Sequence, residues 1–346
     1  VAINEFLHLG YIPAPHSIWN NIYKFPTGSI AQLQGTELKF DRYWKLEDKV
    51  KNEVITNEIQ AREILRDLLV QSVRYRLKSD VPFGTFLSGG VDSSVVTAIA
   101  QRQLSSPLNT FSIGFKEAKF NEASHARNVA EYLGTNHHEL MVTYKDARDM
   151  VSQMLNLYDE PYADSSAIPT MIVSKLARQH VTMSLSGDGG DELFMGYGMY
   201  NWAKRLDNPW VSSFRKPISI ALSCGYNRSK RAAKVFDFPG KMQLKSHIFS
   251  QEQYFFHRNE ISKTLLPDFR REFSFDESYH SLSRKLSARE SQSFFDLKYY
   301  LTDDLLVKVD RASMRYSLEA RVPLLDYNIV EFALNLDENL KIKGNT

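Results

Sequence analysis

The chain is 346 residues long, 43% hydrophobic, 24% charged and 12% aromatic, which allows roughly two domains with packed cores and excludes intrinsic disorder. Lys+Arg 43 against Asp+Glu 41 leave a formal net charge of +2, an argument against a dedicated nucleic-acid or membrane-surface binder that still leaves room for a local basic patch. The single cysteine, Cys224, excludes a disulfide framework and a cysteine-rich zinc site. No apolar run approaches the roughly 20 residues that span a bilayer. The opening VAINEFLHLGYIPAPH lacks the basic flank and apolar core of a signal peptide. The expectation is a cytoplasmic globular protein whose partners include neither nucleic acid nor membrane.

Residues 1–55 carry Pro13, Pro15 and Pro26, then two short runs, Ser29 to Leu33 and Leu38 to Tyr43, around a turn at Gln34-Gly35. That is the pattern of a hairpin. One isolated hairpin buries too little apolar surface to stand alone, so this stretch reads as a linker or the margin of another domain. Across 56–195 helical and strand periods alternate. Ile64, Leu65, Leu68, Leu69 and Val73 predict a helix over 58–78. Phe83 to Leu87 reads as a buried strand, followed by Gly-rich SGGVDSS and the helical run VVTAIAQRQL. LNTFSIG at 108–114 is the next strand, and EASHARNVAEYL at 122–133 is a helix stopped by Gly134. HHELMV is another strand, 146–157 and 167–179 are helices, and VTMSLS at 181–186 closes the series. This alternation predicts an α/β fold, a doubly wound parallel sheet with helices on both faces. Residues 196–346 turn mainly helical and more basic.

The sharpest feature is Ser88-Gly89-Gly90-Val91-Asp92-Ser93-Ser94, between a strand and a helix. Two adjacent glycines let the backbone approach an anion closely. Amides at the start of the following helix suit phosphate, and three serine hydroxyls add donors. An aspartate inside such a loop repels phosphate unless a divalent cation lies between them, so Asp92 implies Mg²⁺. No G-x-x-x-x-G-K-[ST] run occurs, which excludes the kinase- or GTPase-like phosphate loop. A second loop, Ser186-Gly187-Asp188-Gly189-Gly190-Asp191-Glu192, also follows a strand. Both are expected at the carboxyl ends of strands, where open parallel sheets bind ligands, with Asp188 and Asp191 sharing metal or charge-steering work. His137 and His138 are neighbours on a strand and point to opposite faces, which argues against a shared ion. NRSKRAAK at 227–234 reads as a solvated face.

SGGVDSS resembles the pyrophosphate loop of the ATP pyrophosphatases, which split ATP between the α and β phosphates to adenylate a substrate. That motif alone leaves GMP, NAD, argininosuccinate and tRNA-lysidine synthetases open. LNTFSIGF, YDEPYADSSAIPT, SGDGGDELFMGY and DDLLVKVDRASMRYSLEARVPLLD, in this order, resemble the synthetase domain of glutamine-dependent asparagine synthetases, from about residue 5 to the end. The resemblance implies the adenine-nucleotide α-hydrolase-like fold, with a glutaminase remnant and linker at 1–55, the ATP pyrophosphatase domain at 56–195 and the helical remainder of the synthetase domain at 196–346.

The same resemblance implies ATP and Mg²⁺ as cofactors and a reaction in two steps. Aspartate's side-chain carboxylate is adenylated to β-aspartyl-AMP with release of pyrophosphate, and ammonia then displaces AMP. Loop 88–94 is expected to grip pyrophosphate, with Asp92 on the metal. Leu87 and Ile113 match positions against adenosine, and Ser186 and Gly187 match the second nucleotide-contacting pair. Asp188 takes the place of an acidic residue that matters for forming the adenylate. Asp191 matches another acidic position of that loop, catalytic or metal-holding. Asn121 stands where many relatives have aspartate, and the neighbouring Glu122 begins a helix. Lys308, Asp310, Arg311, Glu319 and Arg321 are polar residues in an apolar run. Each belongs either to the substrate end of the site or to an internal salt-bridge network, and Arg321 is the candidate for a carboxylate contact in fork geometry.

The family's glutaminase half uses an N-terminal cysteine, whereas this chain begins at Val1 with Cys224 in mid-sequence. The expectation is therefore that it releases no ammonia from glutamine, and that ammonia comes from a glutaminase domain outside it. A lysine-bearing loop that follows LKIKG in the family is likewise expected to lie beyond the chain, leaving weak turnover. A homodimer is a further expectation. Two alternatives stay open: an amide synthetase acting on another carboxylate, and a nucleotide-binding module without turnover.

Overall fold

The computed structural model of the chain describes residues 1–115, 123–238, 240, 243–270 and 282–343. It opens on helix α1 (Ala2–Leu9), closed by Gly10 in the left-handed region at φ 83°. Leu9, Tyr11 and Ile12 are buried, so the first residues of the expected linker are built into a core. Strands β1 (Ser29–Gln34) and β2 (Glu37–Arg42) pair antiparallel with Gln34 opposite Glu37. The turn is therefore Gly35-Thr36, one residue beyond its predicted place, with Gly35 at φ 62°. Pleating puts Leu33, Leu38 and Phe40 on one face, and all three are exposed. The hairpin forms as predicted and covers no core of its own.

The α/β part follows. Helix α2 (Glu58–Arg76) starts at Asn57, whose side chain accepts from the Gln60 amide at 3.0 Å. Then come β3 (Phe83–Phe86), α3 (Val91–Arg102), β4 (Asn109–Phe115), α4 (Ala123–Leu133) and β5 (Asn136–Val142). Helices α5 (Tyr144–Met154) and α6 (Ala167–Ala177), strand β6 (Met183–Leu185) and the short α7 (Gly190–Phe194) complete it. Six helices follow: α8 (Met199–Asp207), α9 (Pro209–Ser213), α10 (Arg215–Ser223), α11 (Asn227–Phe236), α12 (Leu244–Glu252) and α13 (Arg258–Thr264). Helix α14 (Ala288–Phe295) runs into a π-helical stretch, Asp296–Leu305, and then α15 (Leu306–Met314). Such wide turns gather at functional sites. The chain ends with β7 (Glu319–Arg321), α16 (Tyr327–Leu334) and α17 (Glu338–Lys341).

The main sheet has five strands in the order β5-β4-β3-β6-β7, every neighbouring pair parallel. Its fifth strand, β7, comes from the C-terminal run, which periodicity marks only as helical. Leu69 and Val73 of α2, Val96 of α3, Met183 and Leu185 of β6, and Phe294, Leu301 and Val309 from the last third share one apolar cluster. At about 1.5–3 kcal/mol for each large side chain buried, this cluster ties the C-terminal helices to the sheet. A second cluster joins Leu9 and Tyr11 to Tyr200, Phe249 and Phe295. Among the described residues no helix is long and apolar enough to cross a membrane.

Candidate active site

Strand order reverses between β3 and β6: β4 and β5 lie on one side of that pair and β7 on the other. Because β3 and β6 are parallel neighbours, the loops leaving their carboxyl ends emerge side by side at the switch point, where open sheets bind ligands. Contact between the loops accounts for their glycines. A Cβ on Gly187 would stand 2.7 Å from the Ser93 amide nitrogen and 3.0 Å from the Asp92 carbonyl carbon, and one on Gly190 would run into the Asp92 carboxylate. Gly89 sits at φ 84°, with the Ala126 nitrogen 2.6 Å from where its Cβ would be. Within the first loop, Ser88 Oγ and Ser93 Oγ lie 3.0 Å apart and the Gly90 amide donates to Ser88 Oγ at 3.2 Å. Gly90 precedes helix α3 as its N-cap and supplies no side-chain cap, which leaves first-turn amides for an anion.

The loops wall a cavity of about 600 Å³. Phe86, Leu87, Phe111 and Ile113 give it an apolar side, and Pro169 and Thr170 of α6 and Leu305 and Val309 near α15 face them. Asp92, Asp188, Asp191 and Glu192 supply its charge, and no Lys, Arg or His is among the described lining residues. Burial, then the neighbouring Asp191 and Asp188, pushes the Asp92 carboxyl up to about 6. Burial also raises Asp191. Glu192 goes up to about 7 through burial and the charges of Asp191 and Asp188, although Tyr197 donates to it at 2.6 Å. Just outside the lining, buried Lys308 donates to Ser166 Oγ at 2.9 Å and pairs with Asp164 at 3.2 Å. Burial alone would lower its ammonium, but Asp164 and Asp188 outweigh that and hold it above the ordinary lysine value. The cavity is therefore an anionic pocket with an apolar wall and a row of free amides.

The model of the asparagine synthase family matches residues 64–346. The chain belongs to the asparagine synthase family. It is 29% identical over 351 residues to asparagine synthetase [glutamine-hydrolyzing] 1 of Bacillus subtilis, covering 100% of this chain and 54% of that protein. It is 33% identical over 327 residues to a putative asparagine synthetase [glutamine-hydrolyzing] 2 of Methanocaldococcus jannaschii, covering 90% of this chain and 60% of that one. Against asparagine synthetase B [glutamine-hydrolyzing] of Escherichia coli the identity is 30% over 221 residues, 59% of this chain and 39% of the relative. The chain spans about half the length of the first two relatives.

The motifs of this family member converge only in part. Leu87, Ser88, Gly90, Asp92, Ser93, Ile113, Ser186, Gly187, Asp188 and Asp191 all line the cavity. Gly89 and Ser94 do not; Gly89 packs against the start of α4, and Ser94 Oγ is buried with no hydrogen-bond partner. Ser186 Oγ donates to Asp188. Asn121 and Glu122 lie outside the described residues. The C-terminal polar run divides. Arg321 on β7 accepts from the Ser186 amide through its carbonyl at 2.8 Å, but its guanidinium does not line the cavity and is bonded to Glu319 at 2.7 Å and to the carbonyls of Arg76 and Lys78 at 2.8 Å each. Arg311 pairs with Asp159 at 2.7 Å. His137 bonds Thr110 and Ser112 while His138 stacks on His180 with centroids 3.9 Å apart, so the two rings serve separate surroundings. Phe111, Thr170, Glu192 and Tyr197 line the site without having been singled out. Glu192 lay inside the second glycine motif, which was the available signal for it.

Proposed function

We propose that the cavity at the β3/β6 switch point carries out ATP-dependent amide formation. The side-chain carboxylate of aspartate attacks the α-phosphorus of ATP, pyrophosphate leaves with the bond to the β-phosphate, and β-aspartyl-AMP forms. Ammonia then attacks the acyl carbon, loses a proton, and AMP leaves with the oxygen that came from the carboxylate. A carboxylate alone is a poor acyl donor, and adenylation supplies the leaving group. The observation that carries this reading is the interlocked pair of glycine loops, which sets uncapped helix amides and three aspartates beside an apolar wall.

In this reading the first-turn amides of α3 and the hydroxyls of Ser88 and Ser93 hold the departing pyrophosphate. Leu87, Phe111 and Ile113 take the base, and Ser186-Gly187 takes the rest of the nucleoside. Among the described residues no three His, Cys, Asp or Glu converge as a metal cage. That fits Mg²⁺, which is usually held by one or two carboxylates and completes its shell with phosphate oxygens and water. Asp92, Asp191 and Asp188 also crowd negative charge that a divalent cation would offset. Asp92 and Asp191 are the residues that would hold it, and when bound it would offset the charge of the leaving pyrophosphate. To Asp188 we assign a part in forming the acyl-adenylate. A glutaminase domain elsewhere in a longer protein is the proposed source of ammonia, in keeping with relatives named as glutamine-hydrolysing of which this chain spans about half.

The test is release of pyrophosphate and AMP from ATP with a panel of carboxylic acids, with and without ammonia. Aspartate should elicit both products, and Asp188→Asn should slow their release more than it weakens MgATP binding. Tight MgATP binding with no pyrophosphate released for any acid would leave a nucleotide-binding module in place of an enzyme.

A further inference from the structure

Positive charge gathers in one part of the molecule, away from the acidic cavity. Between Met199 and Phe238 stand eight Lys and Arg against only Asp207 and Asp237, a net +6 within a chain of total +2. Two helices of this stretch, α9 and α10, bury no residue. Several apolar side chains on and between them face outward, Trp210 at 75% exposed, Ile220 at 67% and Phe214 at 54%, while Val211, Ile218 and Leu222 are half-buried. Trp210 and Phe214 stack nearly parallel, with ring centroids 6.5 Å apart. The exposed positions Pro217 and Ile220 of α10 and Cys224 at its C-terminal cap repeat at steps of three and four, which is one face of a helix. Tyr226, at the turn into α11, is 92% exposed.

The cations around this stripe are of three kinds, the first being Arg205 and Arg231, which lie over the rings of Trp202 and Tyr254. Arg215 is drawn inward, donating to the Phe238 carbonyl at 3.3 Å, and Lys234 pairs with Glu260 at 2.7 Å. Lys204, Lys216, Arg228 and Lys230 are exposed, and among the described residues none of the four has a carboxylate partner. A patch of this kind marks an interaction site, and its chemistry separates the partners. A nucleic acid uses cations and stacking rings but has no use for an outward Ile220 or Pro217. A bilayer uses every group present: aromatic and aliphatic side chains at the head-group level, and cations against anionic lipid. We infer that α9, α10 and the turn into α11 form a peripheral docking surface for an anionic lipid bilayer, lying in the head-group plane without crossing it.

The experiment is co-sedimentation of the chain with vesicles of phosphatidylcholine alone and of phosphatidylcholine with phosphatidylglycerol. Binding should appear only with the anionic vesicles and weaken as salt is raised. Arg228→Ala and Lys230→Ala should each lower the partition coefficient about fivefold. Trp210→Ser with Ile220→Ser should abolish binding while circular dichroism stays unchanged, since neither residue is in the core. Equal or no binding to the two vesicle types, or an unaltered partition in the double variant, would overturn the proposal. Self-association of the chain that the double variant dissolves would assign the face to a second copy. Binding by this chain but not by a longer form of the protein would make it an internal interface.

Discussion

The two glycine loops and the C-terminal polar run both bring charge to a buried sheet, and they treat it in opposite ways. In the loops, Asp92, Asp188, Asp191 and Glu192 crowd one cavity with no cation in its described lining, and Asp92 and Glu192 are pushed toward neutrality. In the C-terminal run charge is paired: Lys308 has Asp164 and Ser166 in the interior, Arg321 has Glu319 and two carbonyls, and Arg311 has Asp159 at the surface. Unbalanced charge is a feature of the surface that meets a charged ligand, and balanced charge a feature of the fold that holds it. Variants that remove one charge at a time should therefore behave differently on the two sides.

The largest effect is expected at Lys308. Lys308→Met leaves Asp164 with an uncompensated charge beside buried Asp304, and breaking a buried pair in this way costs about 3–5 kcal/mol. Urea unfolding measures it; a loss under 1 kcal/mol, on the order of an exposed pair, would erase the contrast. Gly187→Val comes next, because its branched side chain meets the backbone of Ser93. It should cost about 1–3 kcal/mol by overpacking and abolish the heat of MgATP binding in a calorimetric titration.

Acid should act mainly on the helical part. Burial lowers His8 to about 3 and His247 to about 4, both below the ordinary histidine value. The unfolded chain therefore takes up protons below about pH 6.5 that the folded chain refuses. Stability is lost as pH falls through that value, by about 1.4 kcal/mol per pH unit for each histidine down to its folded value. His247→Asn should flatten the stability curve between pH 6 and about 4. An unchanged slope would place the acid sensitivity elsewhere.

The smallest effects sharpen the comparison most. Arg321→Ala removes bonds to two carbonyls and should cost about 1 kcal/mol with no change in MgATP affinity. Asp92→Asn should leave the unliganded fold as stable or more stable, by up to about 1 kcal/mol after allowance for solvent screening, while weakening MgATP binding. If Asp92→Asn destabilised the fold as much as Lys308→Met, the distinction between the two regions would fail.

Much of this was legible in the sequence because it is local. The alternation of periods between 56 and 195 marks the strands and helices of the sheet, and strand-glycine-helix punctuation marks both loops. The rest depends on distance along the chain. Strand β7 is only Glu319-Ala320-Arg321, with no apolar alternation, and it is a strand because β6 lies beside it with Leu185 opposite Arg321. The π-helical stretch at Asp296–Leu305 carries no periodic signature. Lys308 and Arg321 look alike in sequence. Only partners more than 140 residues away put Lys308 beside the cavity, while Arg321 is bound to the end of α2. Glu192 and Tyr197 were visible in a motif, but not their pairing.

The most direct test of the central claim follows one oxygen atom. Aspartate labelled with heavy oxygen in its side-chain carboxylate is incubated with MgATP and ammonia, and the products are weighed by mass spectrometry. Attack of that carboxylate on the α-phosphorus predicts one labelled oxygen in AMP and none in pyrophosphate. Label in a β- or γ-derived phosphate, or amide formed with unlabelled AMP, would contradict adenylation at the loop pair and with it this account of the site.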